Sequence, residues 1–288
     1  MSRPRTDLLD PDKIKEGLKT KRIGTKILVY DSTSSTNDVA AEYARNKQND
    51  GLVVFAEEQT AGRGRAGNKW FSGKGDSIIC STILIESKIN PELLSLTCAV
   101  AVAESISSPG RSRVKIKWPN DIMLNGKKVA GILLESKTLS IPQSQIVSLS
   151  LHRTPYGGAK SRDRKSKIYV VGIGINCHQK AESFPDELRQ IATSIDAESH
   201  SVSDRILLAK RLLISLDHWL EVAGNNSKKV IDRWRKMSVH LARRVTLVFN
   251  GSKFTGHCIG IDPEKGLILQ LDTGGRRMFD AAHTSIVK

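Results

Sequence analysis

Cysteine is scarce in this 288-residue sequence, and its four copies, Cys80, Cys98, Cys177 and Cys258, are widely spaced. No CxxC and no Cys/His ligand spacing occurs, which leaves no zinc module and no disulfide framework to expect. Cys80 and Cys98 sit in apolar stretches, so the thiols are expected to be reduced and mostly buried in a cytoplasmic protein. Long hydrophobic runs are missing too; the apolar stretches are short and interrupted, which excludes a membrane-spanning helix and a membrane partner. The first residues carry Asp7, Asp10 and Asp12 and lack the apolar segment of a secretory signal. There is no internal repeat and no low-complexity tract.

What is present is enough for one large core, or for one large domain with a small one: 39% of the residues are apolar and 26% charged. The formal net charge is +15, a balance that suits phosphate-bearing or acidic partners. Much of the excess is local. Residues 153–167 (RTPYGGAKSRDRKSK) hold six basic residues against Asp163 alone, and residues 228–244 hold seven against Asp232. The first has no periodicity and reads as a mobile loop; the second reads as the exposed face of a helix. Solvated charge explains both. Few aromatics are interleaved and no helix-turn-helix or RNA-binding signature occurs, which argues against DNA or RNA as the partner.

Along the chain, patterning predicts a short helix over 10–20, a strand over 27–33 and a helix over 34–47 with Ser35 or Thr36 as N-cap. A strand over 51–58 follows, then a glycine-bearing loop. A buried strand is predicted over 77–86, and a helix over 91–106 with proline in its first turn. SSPG is a turn. Strands are expected at 146–151 and 167–177, and helices at 203–222 and 227–238. After about residue 241 short strands alternate with NG, DPEKG and DTGG turns, as in a small all-β meander or barrel. A boundary near 240 divides the chain into 1–240 and 241–288.

Three stretches carry chemistry. KWPNDIMLNGKKVAGILLES (117–136) is a hairpin: Asn125-Gly126 between apolar runs matches a type I′ turn, which needs positive φ at both central residues. A two-residue loop pairs Met123 with Lys128 and Asp121 with Ala130, placing Asp121, Met123, Lys128 and Ala130 on one face. Asp121 and Lys128 are then diagonal neighbours about 7–8 Å apart. That gap suits a bound group between them better than a direct salt bridge, and a solvated pair beside an exposed turn fits the pattern equally. EEQTAGRGRAG (57–67) combines glycines, which let backbone N–H groups approach a phosphate, with the planar forks of Arg63 and Arg65. It lacks the GKS or GKT ending of a P-loop and the GxGxxG of a dinucleotide fold; a flexible exposed loop fits it as well. In VVGIGINC, Gly172, Gly174 and Asn176 share one strand face. Two glycines leave that face bare, either for a flat ligand or for a closely packed neighbour. Ser35-Thr36-Asn37 at a helix start offers hydroxyls and free N–H groups to a ligand, or simply caps the helix. Trp70 and Trp118 could wall an apolar pocket or fill the core.

The order STN, EEQTAGRGRAGxKW, KWPNDIMLNGKKVAGILLE, GIGIN, then a small β-domain closely resembles the biotin protein ligases over roughly residues 10–288. The resemblance implies an α+β fold: a mixed sheet with flanking helices, like class II aminoacyl-tRNA synthetases, plus a C-terminal SH3-like β-barrel. It implies that biotin and MgATP form biotinyl-5′-AMP, and that biotin then passes to one lysine of a biotin carboxyl carrier domain of acetyl-CoA carboxylase or a related carboxylase. Lys128 matches the lysine that bridges the biotin carboxylate and the α-phosphate. Arg63 would sit near biotin and the nucleotide, and Arg65 would clamp the phosphates. Ser35, Thr36, Asn37, Gln59, Gly62 and Gly131 match the biotin pocket. Trp70, Asn120 and Asn176 match the nucleotide side. Asp121 would orient or deprotonate the acceptor lysine, or help hold Mg²⁺; no resident metal site is implied. Ala66 and Asn68 depart from the family, whose loops often carry basic residues there. About 25 residues precede the first strand, too few for the DNA-binding domain of bifunctional members, so a monofunctional ligase is expected. Relatives can dimerise through sheet edges. The alternatives are a lipoate or octanoate ligase of the same fold, a nucleic-acid-binding protein without activity, and a degenerate ligase that only senses biotin.

Overall fold

The computed structural model describes residues 7–85, 87–107, 114–141, 164–199 and 201–287. Helix α1 (Pro11–Lys15) starts at Asp10, whose carboxylate accepts the Asp12 and Lys13 amides. It is shorter than the expected 10–20, because the chain leaves helical geometry after Lys15 and Gly17 takes φ +66°. Strand β1 (Ile27–Tyr30), α2 (Thr36–Tyr43), β2 (Val53–Ala56), β3 (Ser77–Ile85) and α3 (Pro91–Ile106) follow. Next come β4 (Val114–Lys117), β5 (Asp121–Leu124), β6 (Lys127–Ile141), β7 (Arg164–Asn176), α4 (Ile195–Ser199), α5 (Arg205–Asn225) and α6 (Ser227–Met237). The seven strands form one sheet in the order β1-β2-β3-β7-β6-β5-β4. Only β1 and β2 run parallel, so the sheet is mixed, as expected.

Alternation along the strands sorts the two faces. Tyr169, Val171, Ile173 and Ile175 of β7 join the main core with Ile78, Cys80 and Leu84 of β3, under α3, α5 and α6. The opposite face of β7 begins with Ile168 and Val170, which α2 covers through Ala40 and Ala44. The same face continues as Gly172, under Asn37 in the first turn of α2, and then past the helix as Gly174 and Asn176. The site therefore lies where the helical cover of the sheet stops.

Helix α6 buries Val230, Ile231, Trp234 and Met237 and exposes Lys228, Lys229, Arg235 and Lys236, so the first part of the basic run is the solvent face of a helix, whereas Arg243 and Arg244 lie beyond it, at the start of the next strand. The basic stretch 153–167 is not a loop throughout: Arg164–Lys167 open β7, where Arg164 pairs with Ile141 and Lys167 with Thr138. Its remainder, the strand expected at 146–151 and most of the SSPG turn lie outside the described residues.

The C-terminal strands β8 (Arg244–Phe249), β9 (Ser252–Asp262), β10 (Gly266–Leu271), β11 (Arg276–Phe279) and β12 (Thr284–Ile286) form a five-stranded antiparallel sheet, in keeping with the SH3-like expectation. Asn250 and Gly251 turn β8 into β9 with φ +47° and +80°. Leu247, Cys258, Leu267, Leu269 and Phe279 are buried in a cluster continuous with the main core.

Candidate active site

The hairpin β5–β6 has the expected turn, with Asn125 and Gly126 at positive φ, but its register shifts. Leu124 pairs with Lys127 and Met123 with Lys128. Then Ile122 pairs with Ala130 and Asp121 with Gly131. The extra residue is a β-bulge. It corrects the simple pairing in two respects. Gly131, not Ala130, stands opposite Asp121 on the site face, and Ala130 is buried in the core. Nor do Asp121 and Lys128 hold a gap between them: Lys128 Nζ lies 2.7 Å from Asp121 Oδ1. The lysine can fold back because Gly131 is bare. A Cβ there would meet Lys128 Cε at 3.2 Å and Trp70 Cζ3 at 3.1 Å. The backbone of Lys128 is anchored from outside the hairpin, its N–H donating to Ile191 O at 2.7 Å and its carbonyl accepting from Thr193 N at 2.8 Å.

Gly131 pairs with Gly174 across β6 and β7. The Trp70 indole lies on this pair: a Cβ on Gly174 would come 2.5 Å from Trp70 Cζ2 and 2.9 Å from Nε1. Lys128 Nζ sits 5.8 Å from a Trp70 ring centroid. Trp70 Nε1 is buried without a hydrogen-bond partner. The glycine face is thus covered by Trp70 at Gly174 and by Asn37 at Gly172, where a Cβ would approach the amide Cγ to 3.1 Å. Trp118 is core, 1% exposed.

The helix start at α2 is buried at Ser35, Thr36 and Asn37. Ser35 is the N-cap residue but makes no side-chain capping bond. Instead Gln59 Oε1 accepts from Thr36 N (2.8 Å) and Thr36 Oγ1 (3.1 Å). Ser81 Oγ lies 2.7 Å from Thr36 Oγ1 and donates to Asn37 Oδ1 at 2.6 Å. Asn37 Nδ2 donates to Glu135 Oε2 at 2.9 Å. The result is a preorganised polar cradle of hydroxyls and amides against the sheet.

The glycine-arginine loop closes as a tight turn rather than an open loop. Trp70 N donates to Gly62 O (3.0 Å), Gly64 N to Asn68 O (2.7 Å), and Ala66 and Gly67 take positive φ. A Cβ on Gly62 would sit 2.8 Å from Trp70 O, so glycine is required for this approach. The two arginines diverge. Arg63 forks onto Asp38 with both contacts at 2.7 Å and reaches Glu135 at 3.7 Å. The Arg63 guanidinium, through its hydrogen bonds, holds the Asp38 carboxyl below its ordinary value. Arg65 points the other way, donating to Asn120 Oδ1 (3.2 Å), Thr284 O (3.2 Å) and Ala281 O. Burial draws its pKa down despite the Asp121, Glu92 and Asp280 carboxylates around it.

Asn176 is 4% exposed; its Nδ2 donates to Thr193 O at 2.9 Å. Since Thr193 also binds Lys128, one backbone segment ties the two motif residues together. Beside them Phe71, Ser72, Gly73, Asp76, Gln179 and Phe184 line a cavity of about 450 Å³. Sequence reasoning missed these residues, and also Ser81, Glu135 and Glu92. Ser81 had a readable signal, a polar residue in the apolar run 77–85. The others become neighbours only through packing.

The fold and the motif geometry define an α+β enzyme-like scaffold with a cationic, glycine-floored site. The profile of the biotin/lipoate A/B protein ligase family matches residues 29–151. The bifunctional ligase/repressor BirA of Bacillus spizizenii is 32% identical over 277 residues, covering 95% of this chain and 78% of that protein. The biotin–acetyl-CoA-carboxylase ligase of Mycobacterium tuberculosis is 29% identical, with 96% of each covered. The chain belongs to the biotin protein ligase family. The fold matches the biotin protein ligase of Aquifex aeolicus, solved in complex with biotin and ATP, with a TM-score of 0.71, 24% identity and coverage of 92% of this chain and 99% of that one. Among the described residues no helix is long and apolar enough to cross a membrane.

Proposed function

We propose that this protein ligates biotin to a lysine of a carboxylase carrier domain, using ATP and passing through biotinyl-5′-AMP. The observation that carries the reading is the placement of Lys128 beside Asp121 above the bare Gly131–Gly174 floor, in a chain of the biotin ligase family.

The first step joins two anions: a biotin carboxylate oxygen attacks the α-phosphorus of ATP and pyrophosphate leaves. Fixed cations must offset the repulsion. Lys128 is the cation in reach of the floor, and Arg65 flanks it from the Asn120 side. The Thr36–Asn37–Gln59–Ser81 cradle, with Ser35 and Gly62 at its rim, suits a small polar head such as the ureido ring. Arg63, held by Asp38 and Glu135, braces that cradle. Trp70 covers the floor, and its movement would expose the platform. Asn176 and the cavity beside Phe71, Gln179 and Phe184 form the nucleotide side. Mg²⁺ enters as MgATP, carried largely by the phosphates, with Asp121 the carboxylate nearest Lys128. In the second step the acceptor amine attacks the anhydride carbonyl and AMP leaves. On this reading Asp121 takes the amine's proton once Lys128 turns toward phosphate.

Residues 1–240 form the catalytic unit on this reading and 241–288 the C-terminal β-domain. The four buried free thiols suit a reducing compartment, as in the cytoplasm. A homodimer would pair through a sheet edge, most simply β1, because β4 is partly covered by Ser238 and Val239.

The test is ATP–pyrophosphate exchange with biotin, lipoate and octanoate in separate assays. Exchange with biotin alone supports the reading. Exchange with lipoate or octanoate instead moves the protein to the sister activity. No exchange with any acid, in folded protein with Mg²⁺, removes the enzyme reading.

A further inference from the structure

The turn Asp280–Thr284, which joins β11 to β12, is 216 residues from Arg65 in sequence yet supplies two of its three acceptors, Ala281 O and Thr284 O. The turn is rigid. Thr284 Oγ1 donates to Asp280 O at 2.5 Å, and Asp280 Oδ1 accepts from His283 N at 2.9 Å and lies 2.7 Å from His283 Nδ1. Outside it, Asn250 N donates to His283 O at 3.3 Å and Thr284 pairs with Phe249 of β8, and one further bond ties the turn to α3. Glu92, in the first turn of α3, accepts Ala281 N–H on Oε1 at 2.6 Å. Glu92 is 8% exposed, and its second oxygen, Oε2, has no hydrogen-bond partner. A buried carboxylate with half its acceptors idle is costly.

We propose that Glu92 is a positioning residue for adenylation: by seating the C-terminal turn on α3, it aims the carbonyls of Ala281 and Thr284 at Arg65 and holds that guanidinium on the Asn120 side of Lys128. The inference rests on the ligase reading of the site. It makes the C-terminal sheet part of the reaction centre through backbone atoms, which no side-chain motif in that sheet reveals. The carbonyls bind one guanidinium nitrogen, Nη2, while Nη1 faces Asn120. A fork gripped at one end presents its remaining donors in a defined direction, which a free arginine on a glycine loop would not.

The experiment is steady-state exchange kinetics for wild type, Glu92→Ala, Glu92→Gln, Arg65→Ala and the double variant Glu92→Ala/Arg65→Ala. Glu92→Gln keeps an oxygen for Ala281 N–H and should stay near wild type. Glu92→Ala should lower kcat/KM for ATP about ten-fold, with biotin affinity by direct titration unchanged within about two-fold. In the Arg65→Ala background, Glu92→Ala should add almost nothing, because the two residues act through one relay. Equal losses from Glu92→Ala with and without Arg65 would overturn the proposal, as would unchanged ATP kinetics. A parallel loss of biotin binding, or a failure of Glu92→Gln to rescue, would mark Glu92 as structural and overturn it too. Absence of biotin-dependent exchange in wild type would defeat the ligase reading instead, and is distinguishable from each of these.

Discussion

Gly131 and Gly174 face each other across β6 and β7, and the Trp70 indole lies on the floor they form. A methyl group on Gly174 would stand 2.5 Å from Trp70 Cζ2. Gly174→Ala must therefore expel the ring. The expected cost is about 1–3 kcal/mol of stability, the usual range for overpacking, with exchange activity reduced about ten-fold or more. Urea melts and the change in tryptophan emission check this. Unchanged emission and activity would show that the ring does not rest on the floor.

Lys128 reaches Asp121 beside the bulge of the β5–β6 hairpin, with its backbone pinned to Ile191 and Thr193. Lys128→Ala should lower biotin-dependent exchange by about 10²–10³-fold, the loss expected when a fixed electrostatic donor is removed. Lys128→Arg should restore little, since a planar fork cannot replace a compact ammonium at this spacing. Asp121→Asn, which removes the charge opposite Lys128, should slow transfer from preformed biotinyl-AMP about ten-fold or more as a base is lost. Wild-type rates in both half-reactions would end the role for Asp121.

Stability should depend on pH through His178, whose ring nitrogens lie 2.7 Å from Asp196 and 2.8 Å from Asp7. Burial pushes the imidazole pKa down, but the two carboxylates outweigh it and the net shift is upward. A group raised on folding stabilises fully below its unfolded value of 6.5, and that contribution is lost as pH rises through the folded value. Asp7 shifts the opposite way: burial opposes its ionisation, yet His178 and Arg205 hold it below 3.8. Its contribution is present above 3.8 and lost as pH falls through the folded value. His178→Asn should therefore cost about 2 kcal/mol near pH 6, within the range for hydrogen bonds to charged groups, and progressively less at alkaline pH. Chemical denaturation across pH 5–9, about the span over which His titrates, checks the sign.

His240 behaves in reverse. It is buried, its Nε2 lacks a partner, and burial lowers its pKa to about 4. The unfolded chain takes up the proton first on acidification, so stability falls from about pH 6.5 toward pH 4, by on the order of 3 kcal/mol. His240→Gln, which cannot titrate, should flatten that part of the pH–stability curve relative to wild type. Parallel curves would show that the imidazole is solvated.

The sequence alone determined most of the elements and the order of the motifs. Alternation in IYVVGIGIN set one face of β7 apolar and then bare, Asn125-Gly126 specified the turn, and Pro91 marked the start of α3. These are local signals, and local backbone preferences decide them. Tertiary structure decided what no local pattern encodes. The bulge put Gly131 rather than Ala130 opposite Asp121 and let Lys128 close onto it, because one extra residue in a strand reverses the facing of everything beyond it. Packing decided that the Trp70 indole rests on the glycine floor and that Trp118 is core. It also sent Arg63 and Arg65, two residues apart, to opposite ends of the site. One answers to Asp38 at a helix start, the other to two carbonyls of the C-terminal sheet, since an arginine's position is set by whichever acceptors the fold brings within reach.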